Sequence, residues 1–300
     1  MAADSGSANV QPMAQSRATI SHKPVRHYIW RVVLYVFMAG LSFIFMVPLL
    51  WMISTSLKVQ AQVFVHPPIW IPNPIMWVNY LDVLDVAPLG RWLLNTSIVT
   101  VGITSGVLVA SSMVGYGFAR LRFPGRNILF GLLLATMMLP GIVTMIPQFI
   151  LFRRLGWLDT YLPMIVPAWF GGGAYNIFLV RQFYLTIPRD FDDAALIDGA
   201  SNWTIWLRIM LPLNIPVLTA IGIFTFVGSW NAFMPPLIYL FSEDKKTLAL
   251  GLRAFVDPYL ASYHLNMAAA MYLTVPIVVI FFFGQRYFLK GIVMTGITGR

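Results

Sequence analysis

The sequence predicts an all-α integral membrane protein, and three observations carry that prediction. Of its 300 residues, 58% are hydrophobic and only 10% charged, where a soluble domain carries about 25% charged residues. The mean hydropathy is +0.75. Six uncharged stretches punctuate the chain, each with the roughly 20 apolar residues that one bilayer crossing needs.

Taken in order, residues 1–27 are polar and small, with Arg17, Lys23 and Arg26 among Gly, Ser and Pro. They read as a disordered or interfacial tail preceding a membrane domain over 28–300. The apolar run that follows is too long for a signal-peptide core, and no small-x-small cleavage site ends it. The predicted crossings are Val32 to Leu57, Trp92 to Ala119, Asn127 to Phe152, Thr160 to Val180, one within Ile209 to Ser242 and one within Leu265 to Gln285. Pro216, Pro235 and Pro236 predict kinks and a broken end in the fifth. Pro163, Pro167 and Gly171-Gly172-Gly173 interrupt the fourth. Such interruptions either line a cavity or pack helices closely through small residues. Gly102, Gly106, Gly115 and Gly117 in the second read as packing glycines.

Loop charge sets the orientation. With both termini in the cytoplasm, the inner segments hold thirteen of the twenty Lys and Arg residues and the outer segments seven, as the positive-inside bias requires. Two outer loops are long: Val59 to Arg91, which is Pro-rich and carries Trp70 and Trp77 at interface positions, and the more polar Glu243 to His264.

Between the fourth and fifth crossings lies a polar segment, Ile187 to Leu213, with four of the eleven acidic residues. Pro188 marks a loop-to-helix boundary. Asp190 is positioned to cap a short helix whose first turn carries Asp192 and Asp193 beside the orphan amides. Ala194, Ala195 and Leu196 continue it. Asp198-Gly199 ends or bends it, since Gly adopts the backbone angles a turn needs. Asn202 or Ser201 caps a second helix through Trp203, Ile205, Trp206 and Ile209. The expectation is helix, glycine turn, helix, lying along the membrane surface.

Several chemistries are excluded. The absence of cysteine removes disulfides, thiol catalysis and cysteine-ligated metals. His22, His27, His66 and His264 have no partner at ligand spacing, so no metal site is predicted. No phosphate-cradling GxxxxGK[ST] and no GxSxG elbow is present. The +9 net charge is scattered among loops rather than gathered into a nucleic-acid patch. The centres of the crossings hold no ionisable residue, which argues against a proton-coupled carrier with a buried carboxylate relay.

Asp193-Ala194-Ala195, Asp198-Gly199-Ala200 and Ile209-x-Leu211-Pro212 resemble the EAA loop of bacterial ABC importer permeases, in the carbohydrate-uptake group that includes the maltose permeases (MalG-like). The family motif starts with Glu; Asp193 keeps the charge on a shorter side chain. Leu121-Arg122-Phe123-Pro124-Gly125, Thr136 to Pro140, Trp230-Asn231-x-Phe233 and Gln285 to Gly291 resemble the same group, so the likeness covers nearly the whole chain. The resemblance implies six transmembrane helices with a cytoplasmic coupling helix between the fourth and fifth, in a multi-pass protein of the bacterial inner membrane. It implies a non-catalytic chain paired with a second homologous permease subunit, on two ATPase subunits that bind ATP and magnesium, with an extracytoplasmic solute-binding protein outside. This chain itself would bind no cofactor. Asp193, Ala194, Ala195, Asp198, Gly199, Ala200 and Pro212 become the residues that couple to the ATPase, with Leu196 and Ile197 adding apolar contact. Asn95, Asn176, Gln182, Asn214, Ser229, Asn231 and Tyr239 lie in or near the crossings and, with the rings of Trp169, Phe170, Tyr175 or Trp230, are candidates for a sugar path, Asn176, Ser229, Asn231, Trp169 and Trp230 foremost, against the alternative that they join helix to helix. A glycerol-phosphate substrate fits the same group. A self-contained ion-coupled carrier and a membrane enzyme are the competing classes.

Overall fold

The computed structural model describes residues 25–256 and 262–297, with no strand among them. The predicted tail before Val25, and Arg300, lie outside the described residues, as do the side chains of Arg286 to Gly291. By its contacts the chain divides into residues 1–50 and 51–300. The described part of the first unit is one apolar helix, α1 (Val25–Ser56), which runs on into the second unit. Its side chains from Tyr28 to Phe45 are exposed, the state of an apolar helix meant for lipid or a partner rather than water.

In the second unit, α2 (Asn79–Val86) is tied back to the chain before it. The Asn79 amide donates to the Ser56 and Lys58 carbonyls, each at 2.8 Å. Trp70 packs edge-on against Trp51, yet it stays half exposed, and Trp77 is exposed as well.

Helix α3 (Leu89–Arg120) is the axis of the unit. Three apolar clusters are strung along it, built around Trp92, then Val99, then Val107 and Tyr116. Its glycines let neighbours approach. A Cβ on Gly102 would lie 2.9 Å from the Ile165 side chain, on Gly106 2.5 Å from the Trp169 ring, and on Gly115 2.6 Å from Val180. Three of the four predicted packing glycines therefore pack helices; Gly117 faces open space.

Helices α4 (Arg126–Thr136) and α5 (Gly141–Arg154) correspond to the third predicted crossing, but they are not one rod. They meet at 99°. Pro140 between them lacks the N–H to continue the helix and drives Leu139 out of helical backbone. Helices α6 (Leu162–Gly171) and α7 (Ala174–Thr186) are the fourth, broken at Gly172 (φ +56°) and Gly173 (φ +81°). Gly172 serves packing: a Cβ there would sit 2.7 Å from the Ser111 amide nitrogen on α3.

The polar segment forms α8 (Asp190–Ile197), α9 (Asn202–Ile205), a π-helical turn (Trp206–Met210) and α10 (Leu211–Leu213). At Asn214 the chain bends by 75° into α11 (Ile215–Trp230). Pro216 lies in the first turn of α11, and Pro235 and Pro236 open the short α12 (Met234–Tyr239), so the predicted broken end is present. The chain closes through α13 (Leu248–Gly251) and α14 (Tyr263–Ile297). Among the described residues four helices are long and apolar enough to cross a membrane, or up to six if each bent pair is one crossing.

The loop between α12 and α13 is strapped to the N-terminal end of α3. Asn95 donates to the carbonyls of Asp244 (2.7 Å) and Lys246 (2.9 Å), Trp92 to that of Glu243 (3.0 Å), and the Leu248 amide to the Thr96 hydroxyl (2.8 Å). Asp159, in the turn before α6, holds the same loop. Its carboxylate accepts from the Phe241 and Ser242 amides, the Ser242 hydroxyl and the Lys245 ammonium. These bonds, the Ser242 hydroxyl first, hold that carboxyl well below the usual carboxylate range.

Candidate functional site

At the opposite end of α3, the 187–213 segment folds as its composition requires. Helix α8 begins with Asp190, Asp192 and Asp193 in its first turn, where carboxylates face the positive end of the helix dipole. Asp190 is not the cap: Arg189 holds that position without a side-chain hydrogen bond, and Asp190 is already helical. The helix therefore begins one residue earlier than expected, directly after Pro188-Arg189. The helix ends in a glycine turn. Gly199 sits at φ +79°, its amide donates to the Leu196 carbonyl (3.0 Å), and the Ala200 amide donates to the Ala195 carbonyl (2.9 Å). That pair of bonds around a left-handed residue is a Schellman close. Of the two candidate caps for the second helix, Ser201 caps it, accepting from the Thr204 amide at 3.2 Å.

One side of this segment is fastened to the spans. Arg120, the last residue of α3, pairs with Asp192 at 3.1 Å and donates to the Ile187 carbonyl at 2.7 Å. Both charged side chains are largely shielded, at 5% and 14% exposure. Burial pushes the Asp192 carboxyl up, Arg120 and Arg189 draw it back, and Asp193 adds to the rise. A polar chain runs deeper: the Trp206 indole donates to the Ser112 hydroxyl (3.1 Å), which bonds the Tyr184 hydroxyl (3.1 Å). Ala195, Ile205, Trp206 and Met210 are buried in the same cluster as Tyr116, Val180 and Tyr184 of α3 and α7. The segment, α3 and α7 thus share one core.

The other side is open. Asp193, Ala194, Asp198 and Gly199 are exposed, with Leu196 at 51% and Ile197 at 86%. Ala195 does not belong to this face, as an apolar contact set of Ala194 to Ile197 would require; it is 9% exposed and points into the core. Adjacent helical residues point about 100° apart, so Ala194 and Ala195 serve different surfaces. Ala200 packs at the edge of the core, and Pro212 is exposed on α10. A Cβ on Gly199 would meet nothing within 4 Å in this chain, so its glycine requirement within the chain is the backbone angle.

The five foremost path candidates are not brought together. Trp169 lies over Gly106 and donates to the Gly102 carbonyl (3.0 Å). Asn176 donates to the Gly172 carbonyl (3.0 Å) and Asn231 to that of Val227 (2.9 Å). Trp230 is buried, stacked on Phe226, and donates to the Leu273 carbonyl (2.9 Å). Of these five only Ser229 lines a cavity of about 760 Å³ between α3, α5, α6, α11 and α12, which Tyr239 also borders. Its lining is apolar apart from Ser229, Gln148 and Tyr239 and has no Lys or Arg. Gln148 escaped the sequence reading; the signal available was an amide in an apolar run directly after Pro147. Among the described residues no His, Asp and Glu group is arranged to hold a metal.

Residues 102–293 match the family described as "Binding-protein-dependent transport system inner membrane component". The chain is 36% identical over 264 residues to the arabinooligosaccharides transport system permease protein AraQ of Halalkalibacterium halodurans, covering 87% of this chain and 94% of the relative. It is 30% identical to the diacetylchitobiose uptake system permease protein NgcG of Streptomyces coelicolor, covering 82% of each. It is 33% identical to the sn-glycerol-3-phosphate transport system permease protein UgpE of Yersinia pestis, over 78% of this chain and 85% of that one. In fold it is similar to a chain in the crystal structure of a bacterial ABC transporter involved in the import of the acidic polysaccharide alginate. The TM-score is 0.76 and the identity 23%, over 89% of this chain and 99% of the other. With a family match across most of its length and relatives at 30% and 36% identity covered over more than four-fifths of their length, the chain belongs to the binding-protein-dependent inner membrane components, as a non-catalytic permease subunit of a bacterial ABC importer of the carbohydrate-uptake group.

Proposed function

We propose that this chain crosses the inner membrane six times, each bent helix pair counting as one crossing, with both termini and the 187–213 segment in the cytoplasm. It pairs with a second, homologous permease subunit above two ATPase subunits, which hold ATP and magnesium, and it receives solute from an extracytoplasmic binding protein. The observation that carries the reading is the two-sidedness of the 187–213 segment. Its inner side shares a core with α3 and α7 through Arg120–Asp192 and Trp206–Ser112–Tyr184. Its outer side offers Asp193, Ala194, Ile197 and Asp198 unused. A partner closing on the outer side therefore moves two membrane helices as one body, because a packed core transmits displacement rather than absorbing it. The acids set register with the partner through charged hydrogen bonds, and Ile197 fills a groove. ATPase closure would turn the pathway outward, and hydrolysis would reset it.

The substrate reading follows the cavity lining. Relatives carry arabinooligosaccharides, diacetylchitobiose and glycerol-3-phosphate in their names. A phosphate ester calls for Arg or Lys, and the lining offers only an amide and two hydroxyls among apolar groups. This supports a neutral saccharide. The test is reconstitution of the complex in vesicles with radiolabelled oligosaccharide and glycerol-3-phosphate. Replacing Gly199 with Trp should abolish ATP-driven uptake while membrane insertion is unchanged. Unchanged uptake, or lost insertion, overturns the coupling assignment. Purification of the chain alone from membranes in which it transports overturns the importer reading.

A further inference from the structure

A second concavity, of about 530 Å³, lies where α3 turns into α4 and where α8 begins. Its polar lining is Arg122, Arg126 and Arg189, with Asn127; Phe123, Gly125 and Ile128 complete it. Three guanidinium groups around one hollow repel one another unless something negative lies between them. Among the described residues none of the three forms an ion pair. Asp192 lies within electrostatic reach of Arg189, but its bond is to Arg120. Arg126 also donates to the Leu121 carbonyl (3.2 Å), which fixes it at the rim. The hollow opens onto the start of α4, whose left-handed Gly125 supplies no capping side chain. The Arg126 amide donates to the Phe123 carbonyl (3.4 Å), and the remaining amides of that first turn add donors to the guanidinium groups.

What lies beside the pocket selects the ligand. Ile128 belongs to its wall and is 71% exposed, and the same helix continues with Leu129 (50%) and Leu132 (60%) facing outward. A cationic cup thus meets an apolar strip in an integral membrane protein, the layout of a phospholipid's phosphate and acyl chain. A free phosphate would use only the cup.

We infer that the Arg122–Arg126–Arg189 pocket seats the phosphate of an anionic phospholipid from the leaflet facing the 187–213 segment, with an acyl chain along Ile128 and Leu132 of α4. The guanidinium forks bind the phosphate through paired charge-assisted hydrogen bonds. Because Arg189 is the cap residue of α8, the lipid braces the start of that segment against the membrane.

The test is native mass spectrometry of the full chain in its complex, stripped of lipid and titrated with phosphatidylglycerol, against phosphatidylcholine of the same chain length. Phosphatidylglycerol should be retained in preference. The R122Q/R189Q pair should weaken its retention by about tenfold or more, the loss expected from charge-assisted bonds. The R153Q/R154Q pair, which removes the same charge elsewhere, should not. Inorganic phosphate should leave the lipid in place. Retention independent of headgroup, or equal loss in both pairs, overturns the proposal. Displacement by inorganic phosphate overturns the lipid assignment in favour of a soluble anion. Retention of the lipid only when the complex has lost its ATPase subunits makes the pocket a protein interface instead and also overturns it. Complex assembly is checked by elution profile. If the pair does not assemble, R122Q alone is read the same way, and the headgroup preference and phosphate competition on the wild type need no variant.

Discussion

Two polar loops grip the two ends of α3, and they do so differently. At the N-terminal end, the 240–248 loop is held by its own backbone: the Glu243, Asp244 and Lys246 carbonyls and the Leu248 amide are all bound by α3 side chains, and the Phe241 and Ser242 amides by Asp159. At the C-terminal end, the 187–213 segment satisfies its backbone largely internally, through short helices and a glycine turn, with Arg120 binding the Ile187 carbonyl. It is fastened by side chains: one ion pair, one indole–hydroxyl chain and a buried apolar side. A loop whose backbone is used up in docking cannot move without breaking several bonds. A segment with its own helices can move as a unit and carry the helices that share its core. The first is built as a clamp; the second, on the proposed coupling role, would serve as a lever.

The sharpest way to break this contrast is Arg120→Ala. It strands the Asp192 carboxylate, mostly shielded from water, and removes the Ile187 contact. Loss of one partner of a shielded pair costs about 3 kcal/mol or more. Thermal unfolding should register that loss, and limited proteolysis should show cleavage within 187–213 while 240–248 stays protected. Equal exposure of both loops would mean that the two grips are not independent.

Asn95→Leu tests the clamp. It leaves the Asp244 and Lys246 carbonyls without their donor, at about 1–3 kcal/mol for buried unsatisfied groups. Amide exchange should rise across 240–248 and not across 187–213. Unaltered exchange at 240–248 would show that Asp159 and Trp92 suffice to hold it.

Gly199→Ala sharpens the lever. No neighbour obstructs the new Cβ, so the cost is the left-handed angle alone, about 1–2 kcal/mol. Asn at the same position should cost less, because its side chain tolerates that region. Equal melting temperatures for the Ala, Asn and wild-type proteins would exclude a backbone role for Gly199.

The smallest effect is a pH dependence at Asp159. Its folded pKa is depressed, so the stability it contributes is present above its unfolded value, near 3.8, and is lost as pH falls through the folded value. Wild type should therefore lose its advantage over Asp159→Asn only as the medium becomes more acidic than about pH 4. A constant difference from neutral to strongly acidic pH would exclude the carboxylate as the cause.

How far these features could be read in advance depends on their range along the chain. Hydropathy and proline placement are local, so the apolar helices, the broken fifth segment and the Asp198-Gly199 turn were legible in the sequence. The choice of Ser201 over Asn202 as cap was nearly so. The 99° bend at Pro140 was not, because the ring announces a break but neighbours decide its angle. The pairing of Arg120 with Asp192 joins residues far apart in sequence, and nothing local marks which of four acids turns inward. Gln148 gains meaning only beside Ser229 and Tyr239, which other elements deliver to the same cavity.

By itself, then, the sequence determined that this protein lives in a membrane as helices, that a charged helical segment interrupts them, and which family motif that segment resembles. Those facts follow from transfer free energy and backbone propensity, which act over a few residues at a time. Contacts between distant segments set which side of α8 is core and which is free, how each loop is tied to α3, and where the arginines of the α3–α4 turn gather. Each of these depends on packing and charge pairing between distant segments, and close-packed interiors accept few such arrangements.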